Sequence, residues 1–372
     1  GVIMMNNTGV RRLSKYNNRV VGAELQMECK RLALSSGSVV LAAGGATGLF
    51  HTCSGDNNNM GAGLMLGFDV GAKLGNLEFI EFTLIYRVKN QLLRIAGLAP
   101  FMSRGAKLVN AAGRMLIDIY YPTQRNKEIS RADLLRMVQT EIISGRGPVV
   151  MDCTHFTESI WSEFQESQGD VVLDRIAATG CDYKTEVIEV VPAAHSILAG
   201  LIIDTNASTG VDGLYAAGEN VTGIHGAGRL SGNGLTASIV MGRTAGKNAF
   251  SYAFDNKLFS IQENKKSSAQ ISETPEGLKL ITDSIRDLAS HNLGVIRNES
   301  DLSLACQGFD RISQQILKFD MENHEVWEAY QMALLGKMMA ESALKRKESR
   351  GVQFRSDYLD LDRNWDFSQI QE

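Results

Sequence analysis

Proline and cysteine are scarce in this sequence, and it has no long apolar run. Five prolines occur in 372 residues, where average usage would give about 19. The five cysteines form no CxxC pair; they are Cys29, Cys53, Cys153, Cys181 and Cys306. Such a scattered set argues for a reducing compartment and against a zinc or iron–sulfur site within the chain. No run approaches the roughly 18 apolar residues of a transmembrane helix, and the first residues show no signal-peptide pattern.

The sequence also has no large excess of positive or negative charge. The 38 lysines and arginines nearly balance the 42 aspartates and glutamates, so the net charge is −4. This balance gives no overall attraction to nucleic acid or to an anionic membrane. Glycine, in contrast, is abundant, with 36 residues where about 26 would be typical. With 44% hydrophobic residues the chain can bury a large core, which excludes a disordered linker or a disulfide-stapled miniprotein.

Short apolar runs and glycine-rich turns alternate in two parts of the sequence. The first 50 residues read as strands, among them 19–25 and a continuous apolar run at 38–43 that ends in a glycine pair. A run that is buried on both faces is typical of a parallel strand in an α/β core. A similar strand at 214–217 leads through a glycine-rich loop into a predicted helix at about 235–254.

The segment between these two parts has a different character. Strand-like pieces mix there with one clear helix, which Ser130 and Asp133 begin as a cap and Gly145 ends. The apolar positions of that helix are Leu134, Leu135, Val138 and Ile142. Beyond about residue 265 the pattern is helical and charged, and we interpret the basic run at 345–347 as a solvated face.

Both apolar strands end at glycine turns that could hold an anionic ligand. Ala43, Gly44 and Gly45 follow one strand, and Gly218 and Glu219 follow the other. A strand that ends in glycine and leads to a helix presents backbone N–H groups to an anion. The Glu219 carboxylate is placed to accept hydrogen bonds from a ribose. Neither turn matches the dinucleotide fingerprint GxGxxG, and in the nearest glycine clusters the third glycine comes one residue later than the fingerprint requires. The alternative explanation for these glycines is tight packing of the backbone.

Arg229 is the side chain best suited to bind an acid. It lies in the glycine-rich loop at 225–235, directly before a predicted helix whose N-terminus carries partial positive charge. Its guanidinium offers a bidentate fork for a carboxylate, so loop and helix together could hold an anionic ring edge beside an acid substrate. A surface arginine is the alternative. His195, just before the strand-like 201–203, gives no such signal alone, since a lone histidine is more often a core residue than a ligand.

These motifs, in this order, resemble the flavoprotein family of fumarate reductase, succinate dehydrogenase and L-aspartate oxidase. The resemblance covers nearly the whole chain and is most specific over 213–243. The matching segments are 39–45, 71–74, 78–82, 108–110, His195, 213–219, 225–235 and 346–351.

The resemblance implies an α/β (α+β) fold. A three-layer, Rossmann-like FAD-binding domain would be interrupted by a capping domain, with substrate between the two, and followed by a helical C-terminal domain. The implied ranges are 1–83 and 191–255 for the FAD-binding domain, 84–190 for the capping domain and 256–372 for the C-terminal domain. The family's N-terminal GxGxxG region, which holds the ADP half of FAD, has no counterpart here. We therefore expect a truncated chain or one half of a split flavoprotein.

FAD is the cofactor that the resemblance implies, and it assigns roles to individual residues. Glu219 resembles the residue that binds the FAD ribose. Gly234 and Leu235 resemble the backbone pair beneath the flavin ring, at the start of a helix whose dipole would steady a reduced, anionic flavin. The cofactor-binding candidates are Ala43, Gly44, Gly45, Glu219, Asn233, Gly234 and Leu235. Arg229 and His195 resemble the pair that binds a dicarboxylate while flavin N5 exchanges hydride with the adjacent carbon.

Three departures from the family pattern weigh against C4-dicarboxylate chemistry and leave flavin binding intact. The family's Phe-His-Pro-Thr motif is replaced by Phe-Thr-Leu-Ile at 82–85, so one substrate histidine is missing. The family's arginine acid/base falls on Met102 in an alignment without gaps, and only a two-residue shift brings in Arg104 as the proton donor. The family's Thr-Gly-Asp-Gly turn is replaced by Met-Gly-Ala-Gly at 60–63.

We expect from these features an FAD-dependent oxidoreductase that transfers hydride between flavin N5 and a small carboxylate-bearing substrate. Its catalytic candidates are Arg104, Arg229 and His195. The alternative is a non-catalytic flavin-binding or subunit-docking module of the same fold, and the glycine spacing disfavours an NAD-dependent dehydrogenase. Without iron–sulfur cysteines, electrons would pass to a separate subunit, to oxygen or to a soluble carrier. We expect a cytoplasmic protein, or one held at a membrane surface by a partner subunit, with no metal site.

Overall fold

A computed structural model describes residues 1–27, 30–95, 97–123, 129–168, 171–256 and 274–372, which excludes Cys29. They form a mixture of helices and strands, in agreement with the predicted α/β (α+β) class. The α-helices are α1 (Ala62–Asp69), α2 (Ala99–Met102), α3 (Leu116–Tyr120), α4 (Arg131–Ile143), α5 (Glu158–Gln168), α6 (Val171–Ala177), α7 (Asn233–Asp255), α8 (Leu278–Asn292), α9 (Glu299–Ile316) and α10 (His324–Lys345). The strands are β1 (Thr8–Tyr16), β2 (Arg19–Met27), β3 (Lys30–Ser35), β4 (Val39–Leu41), β5 (Leu74–Gly75), β6 (Ile80–Val88), β7 (Gln91–Leu93), β8 (Lys107–Val109), β9 (Val150–Asp152), β10 (Ile188–Ile197), β11 (Gly200–Leu201), β12 (Leu214–Ala216) and β13 (Ile370–Gln371).

The chain divides into two compact units. The first unit consists of 1–51, 57–80 and 196–372, and the second unit consists of 52–56 and 81–195. The second unit overlaps the predicted capping domain, 84–190, and also takes in the short segment 52–56. Helices α8 to α10 belong to the first unit, and the domain ranges expected from the sequence stay predictions.

The described residues of the first unit form three small sheets. Strands β1, β2 and β3 form an antiparallel meander, and β5 pairs with β11 and β13. The hairpin between β1 and β2 turns at Asn17 and Asn18, which both have positive φ, the conformation that a two-residue hairpin turn requires. The third sheet pairs β4 with β12 in parallel, and Leu41 accepts a hydrogen bond from the Ala217 N–H at 3.0 Å. Both predicted apolar strands therefore exist, and their carboxyl ends meet at one edge.

Helix α7 begins directly after the glycine-rich loop that follows β12, as predicted. Its buried residues are Met241, Ala245 and Ala249, spaced four apart on one narrow face. The helix packs against the start of β4, where the Ser38 hydroxyl donates to the Ala249 carbonyl at 2.8 Å. Phe254 on another face is 81% exposed, so α7 buries little of its apolar surface among the described residues.

Helices α9 and α10 approach each other closely at a glycine, and a buried ionic cluster follows the end of α10. A Cβ at Gly336 of α10 would lie 2.7 Å from the ring of Phe309 in α9, so only glycine permits this approach. In the basic run at 345–347, Lys345 and Lys347 are exposed, as expected of a solvated face, but Arg346 between them is not. Arg346 is fully buried and forms ion pairs with Glu78 at 2.6 Å and with Glu348 at 2.9 Å. The two buried carboxylates compensate for burial of the guanidinium charge.

A five-stranded sheet is the centre of the second unit, with strand order β7-β6-β10-β9-β8. The predicted helix is α4, and the Ser130 hydroxyl accepts from the Asp133 N–H at 3.1 Å, which is an N-cap. Its buried face differs from the expected apolar stripe, because Ile142 is exposed and Glu141 is buried. No helix in the described ranges is long and apolar enough to cross a membrane.

Candidate functional site

The carboxyl ends of β4 and β12 bring two of the predicted turns together. Because parallel strands end at the same edge, Ala43 after β4 lies beside the turn that follows β12. The Ala43 N–H donates to Oδ1 of Asn220, the residue next to Glu219. The predicted cofactor residues at 43–45 and Glu219 therefore form one cluster in the first unit.

Glu219 is held at this edge by the backbone. Its Oε1 accepts a hydrogen bond from the Ile197 N–H at 2.8 Å, and a Cβ at Gly45 would lie only 2.3 Å from the same oxygen. The absence of a side chain at Gly45 is therefore what lets the carboxylate occupy this position. A carboxylate fixed in this way can accept hydrogen bonds from the hydroxyls of a sugar.

Two amide side chains at the same edge carry unsatisfied polar atoms. Among the described residues, Oδ1 of Asn59 and Nδ2 of Asn220 are buried without a hydrogen-bond partner. A Cβ at Gly44, which has φ +82°, would lie 2.9 Å from that Asn59 oxygen. Buried polar atoms normally find partners, so both amides point to a polar group that binds here.

The start of α7 adds positive electrostatic potential to the first unit's cluster. Its N-cap is Gly232, at φ +84°, and no side chain caps the helix, so its first N–H groups retain their partial positive charge. A Cβ at Gly218 would lie 3.3 Å from the hydroxyl oxygen of Ser238 in the second turn of α7. The predicted residues Asn233, Gly234 and Leu235 thus lie close to the turn that contains Glu219.

Arg229 lies against the first turn of α7. A Cβ at Gly234 would lie 3.7 Å from Nη1 of Arg229 and 3.9 Å from its central guanidinium carbon. The half-buried guanidinium therefore adds a full positive charge to the partial charge of the helix N-terminus. The expectation that Arg229 lies beside this helix is confirmed, whereas its role toward a substrate stays a prediction.

The C-terminal part of the first unit supports the loop of Arg229. The Val352 N–H donates to the Ala227 carbonyl at 2.8 Å. Gly351 has φ +57°, and a Cβ there would lie 2.0 Å from that carbonyl oxygen. No larger residue fits without moving the loop, so Gly351 fixes the position of a segment two residues from Arg229.

His195 belongs to the second unit and lies in β10 itself. The sequence interpretation placed it before a strand at 201–203, but β10 runs to Ile197 and only Leu201 of that later segment is in a strand. The Nδ1 atom of His195 is 2.7 Å from the hydroxyl oxygen of Ser54. His195 is therefore a half-buried histidine with a specific partner, and its role toward a substrate stays a prediction.

Arg104, also in the second unit, follows the short helix α2 and contacts α5. Its guanidinium donates to the Pro100 carbonyl at 2.9 Å and to the Ser167 hydroxyl at 2.7 Å, and it pairs with Glu163 at 3.3 Å. The side chain is only 12% exposed and stacks on Phe164. These contacts are those of an arginine that ties α2 to α5, and a role as proton donor stays a prediction.

The residues that the sequence did not single out are supporting side chains. Ser54, Asn59 and Asn220 carried no spacing signal, because each contacts a residue far along the chain or adjoins a glycine whose conformation shows only in three dimensions. Asn110 belongs to a matching segment whose local role was not assigned. It donates to the buried Glu141 at 2.8 Å and so stabilises the second unit.

Comparison with known families covers most of the chain. Residues 1–235 match the family model described as FAD binding domain, and residues 282–370 match the one described as fumarate reductase flavoprotein C-term. The chain belongs to the fumarate reductase and succinate dehydrogenase flavoprotein family. The family that the sequence motifs indicated is thereby confirmed.

The relatives of this flavoprotein are longer than the part of them that aligns with this chain. An uncharacterized FAD-dependent oxidoreductase of Methanocaldococcus jannaschii is 30% identical over 88% of this chain and 62% of its own length. A fumarate reductase (CoM/CoB) subunit of Methanothermobacter marburgensis is 27% identical over 91% of this chain and 64% of its own. A solved structure of Mycobacterium smegmatis Sdh1 in complex with UQ1 has the same fold, with a TM-score of 0.79 at 24% identity over 96% of this chain and 63% of its own. The chain spans about three fifths of the length of these relatives.

FAD is the cofactor that this family membership indicates, and the residues at the cluster fit it. The Glu219 carboxylate offers an acceptor for ribose hydroxyls, and the absence of side chains at Gly44 and Gly45 makes room for the Asn59 amide and for this carboxylate. The unsatisfied Asn59 and Asn220 amide atoms offer further hydrogen bonds. The uncapped N-terminus of α7 suits the negative charge of a reduced flavin ring.

Proposed function

We propose that this flavoprotein is part of an FAD-dependent oxidoreductase whose substrate is a small molecule with a carboxylate group. The flavin, when bound, supplies hydride transfer at N5. The observation that carries the proposal is the position of Arg229, whose guanidinium lies against the first turn of α7, the helix whose Ser238 lies close to the turn that contains Glu219. A cofactor cradle and a cation suited to a carboxylate thus occur on adjacent segments of the first unit.

The chain's residues have distinct tasks in this proposal. Glu219 would accept hydrogen bonds from the ribose of the cofactor, and the backbone of Gly234 and Leu235 would hold its flavin ring. Arg229 binds a carboxylate oxygen pair through its fork of N–H groups, and His195 donates a hydrogen bond to the acid. Binding the acid in this way withdraws charge from the adjacent carbon, which favours delivery of hydride to that carbon when the substrate is reduced. Arg104 is the predicted proton donor.

A partner that exchanges electrons with the flavin is the second part of the proposal. The relative from Methanothermobacter marburgensis is named as a subunit, which supports an assembly with at least one further chain. Among the described residues no group of histidines, cysteines and acids could hold a metal ion. We propose that a separate electron-transfer subunit or a soluble carrier receives or delivers the electrons.

Arg229→Ala tests the proposed function in the complete gene product loaded with FAD. We expect the flavin absorbance to remain, because the cradle of Glu219 is untouched, and turnover of the acid substrate to fall by about 100-fold or more. The matched control is Arg363→Ala, an exposed arginine of the same unit, which should leave turnover unchanged. Turnover in Arg229→Ala equal to that of the wild type would contradict the proposal.

A second candidate function is a flavin-binding module without catalysis. The observation that favours it is the engagement of Arg104 with α5, together with Met102 at the family's catalytic position and Thr83 in place of a substrate histidine. The same experiment separates the two candidates. No turnover in wild type or variant across a panel of small carboxylic acids, with flavin bound in both, would support the module.

A further inference from the structure

The segment 52–56 is a short piece of chain that joins the second unit beside β10. The Ser54 N–H donates to the Ala194 carbonyl at 2.9 Å, and the Ala194 N–H donates to the Thr52 carbonyl at 2.9 Å. Cys53 between them is buried and forms a parallel bridge with Ala194. This ladder fixes the segment against the strand that carries His195.

A third contact holds the far end of the segment. Nη1 of Arg94 donates to the Gly55 carbonyl at 2.5 Å. Ser54 is therefore fixed by its own backbone and by both of its neighbours. Its side chain meets His195 because the two residues lie on adjacent extended segments, although 141 positions separate them in the sequence.

The contact between the two side chains is short and directional. The hydroxyl oxygen of Ser54 lies 2.7 Å from Nδ1 of His195. A hydroxyl donates its hydrogen to an available acceptor, and a neutral imidazole offers one unprotonated nitrogen. When the Ser54 hydroxyl donates to Nδ1, the ring proton resides on Nε2.

We propose that Ser54 is a positioning residue that fixes the tautomer of His195 so that Nε2–H donates to the carboxylate of the substrate. This inference rests on the proposed function, in which His195 binds the acid. The opposite tautomer would present a lone pair to an anionic oxygen, which is repulsive, whereas Nε2–H makes a charge-assisted hydrogen bond. Ser54 thus acts on the substrate through the imidazole and not by direct contact.

The first readout is the tautomer itself and does not require turnover. The complete gene product is labelled with ¹⁵N-histidine, and ring nitrogen shifts are recorded at a pH where the imidazole is neutral, with the His195 signal assigned by its loss in His195→Asn. We expect Nε2–H in the wild type and in Ser54→Thr, which keeps the hydroxyl, and a mixture of tautomers in Ser54→Ala. Nδ1–H in the wild type, or an unchanged tautomer in Ser54→Ala, would overturn the inference.

The second readout is the steady-state kinetics of the FAD-loaded protein. Ser54→Ala should raise KM for the acid about 10-fold, the effect of losing one well-oriented hydrogen bond, with the flavin spectrum unchanged and with recovery in Ser54→Thr. Ser162→Ala, whose hydroxyl donates to the Glu158 carbonyl within α5, is the control and should have no effect. An unchanged KM in Ser54→Ala would also overturn the inference. Absence of turnover in every form, with the tautomer shift present, would instead contradict the proposed function and leave the role of Ser54 in orienting His195 intact.

Discussion

At the scale of the single residue, the Glu219 carboxylate is a constrained group of the candidate site. One of its oxygens accepts from the Ile197 N–H, and the missing side chain at Gly45 leaves the space that it occupies. The position of Glu219 and of the glycines at 44–45 could be predicted from the sequence, because each follows an apolar run at the end of a strand. The residues that orient them could not, since Asn59 and Asn220 contact these positions only after folding.

Glu219→Gln should weaken FAD binding while leaving the fold intact. The amide oxygen of glutamine can still accept from Ile197, but the charge that strengthens a hydrogen bond to the ribose is lost. Such a bond contributes about 1.5–3 kcal/mol, so we expect the dissociation constant for FAD to rise about 10- to 100-fold, measured by fluorescence titration of the complete apoprotein. The exposed Glu276→Gln is the control, and equal affinity in the two variants would show that Glu219 does not contact the cofactor.

Glu141 makes the stability of the second unit sensitive to acid. Its buried carboxylate accepts from Arg146 at 2.7 and 3.0 Å, from Asn110 at 2.8 Å and from Tyr120 at 2.7 Å. These hydrogen bonds, above all those from Arg146, lower the pKa of Glu141 to about 2 from its ordinary value of 4.5. Because the folded-state pKa lies below that of the unfolded chain, the stabilisation is complete above about pH 4.5 and is lost as the pH falls toward 2.

Glu141→Gln should therefore lower the free energy of unfolding at neutral pH by about 1–3 kcal/mol. It should also reduce the loss of stability between about pH 4.5 and about pH 2. Urea unfolding followed across this range checks both effects. The control is Glu166→Gln, at an exposed position of α5; a wild-type acid dependence in Glu141→Gln would contradict the assignment.

At the scale of the element, the site depends on strand ends and one helix start, and local rules predict these well. The sequence pattern identified β2, β4, β12, α4 and α7, because apolar runs, caps and glycine stops act over a few residues. The buried face of α4 was predicted less well. Glu141 is buried there because Asn110, Tyr120 and Arg146 converge on it, and no periodicity within the helix records that convergence.

Gly351→Ala should disturb the loop that carries Arg229. The new Cβ would meet the Ala227 carbonyl oxygen at 2.0 Å, in a backbone conformation, φ +57°, that already disfavours alanine. Gly277→Ala is the matched control, because Gly277 has φ +88° with nothing within 4 Å of the added Cβ. We expect a loss of about 1 kcal/mol in the control and about 2–4 kcal/mol in Gly351→Ala, with a raised KM for the acid only in the latter.

Thermal or chemical unfolding and steady-state kinetics of the complete gene product measure these two effects. The difference between the two alanine variants isolates the clash with Ala227 from backbone strain, since both positions have positive φ. Equal destabilisation of the two variants, with unchanged KM, would show that the contact between Gly351 and Ala227 does not position Arg229.

At the scale of the whole molecule, family membership rests on matches that run from residue 1 to 235 and from 282 to 370. The order of motifs predicted this family, because glycine turns, Glu219 and the loop of Arg229 recur at comparable places in the chain. The burial of Arg346 was not predicted, because its local sequence indicates a solvated face. Its partner Glu78 is 268 positions away in the sequence, so no local pattern reveals the ion pair.

The central claim is that the cluster of Glu219, Gly45 and the start of α7 binds FAD. Its most direct test is the visible absorption spectrum of the complete gene product after incubation with FAD and removal of unbound cofactor. The account predicts flavin bands that co-purify with the protein and that are strongly diminished in Glu219→Gln. Full-length protein that is folded and never retains flavin would contradict it.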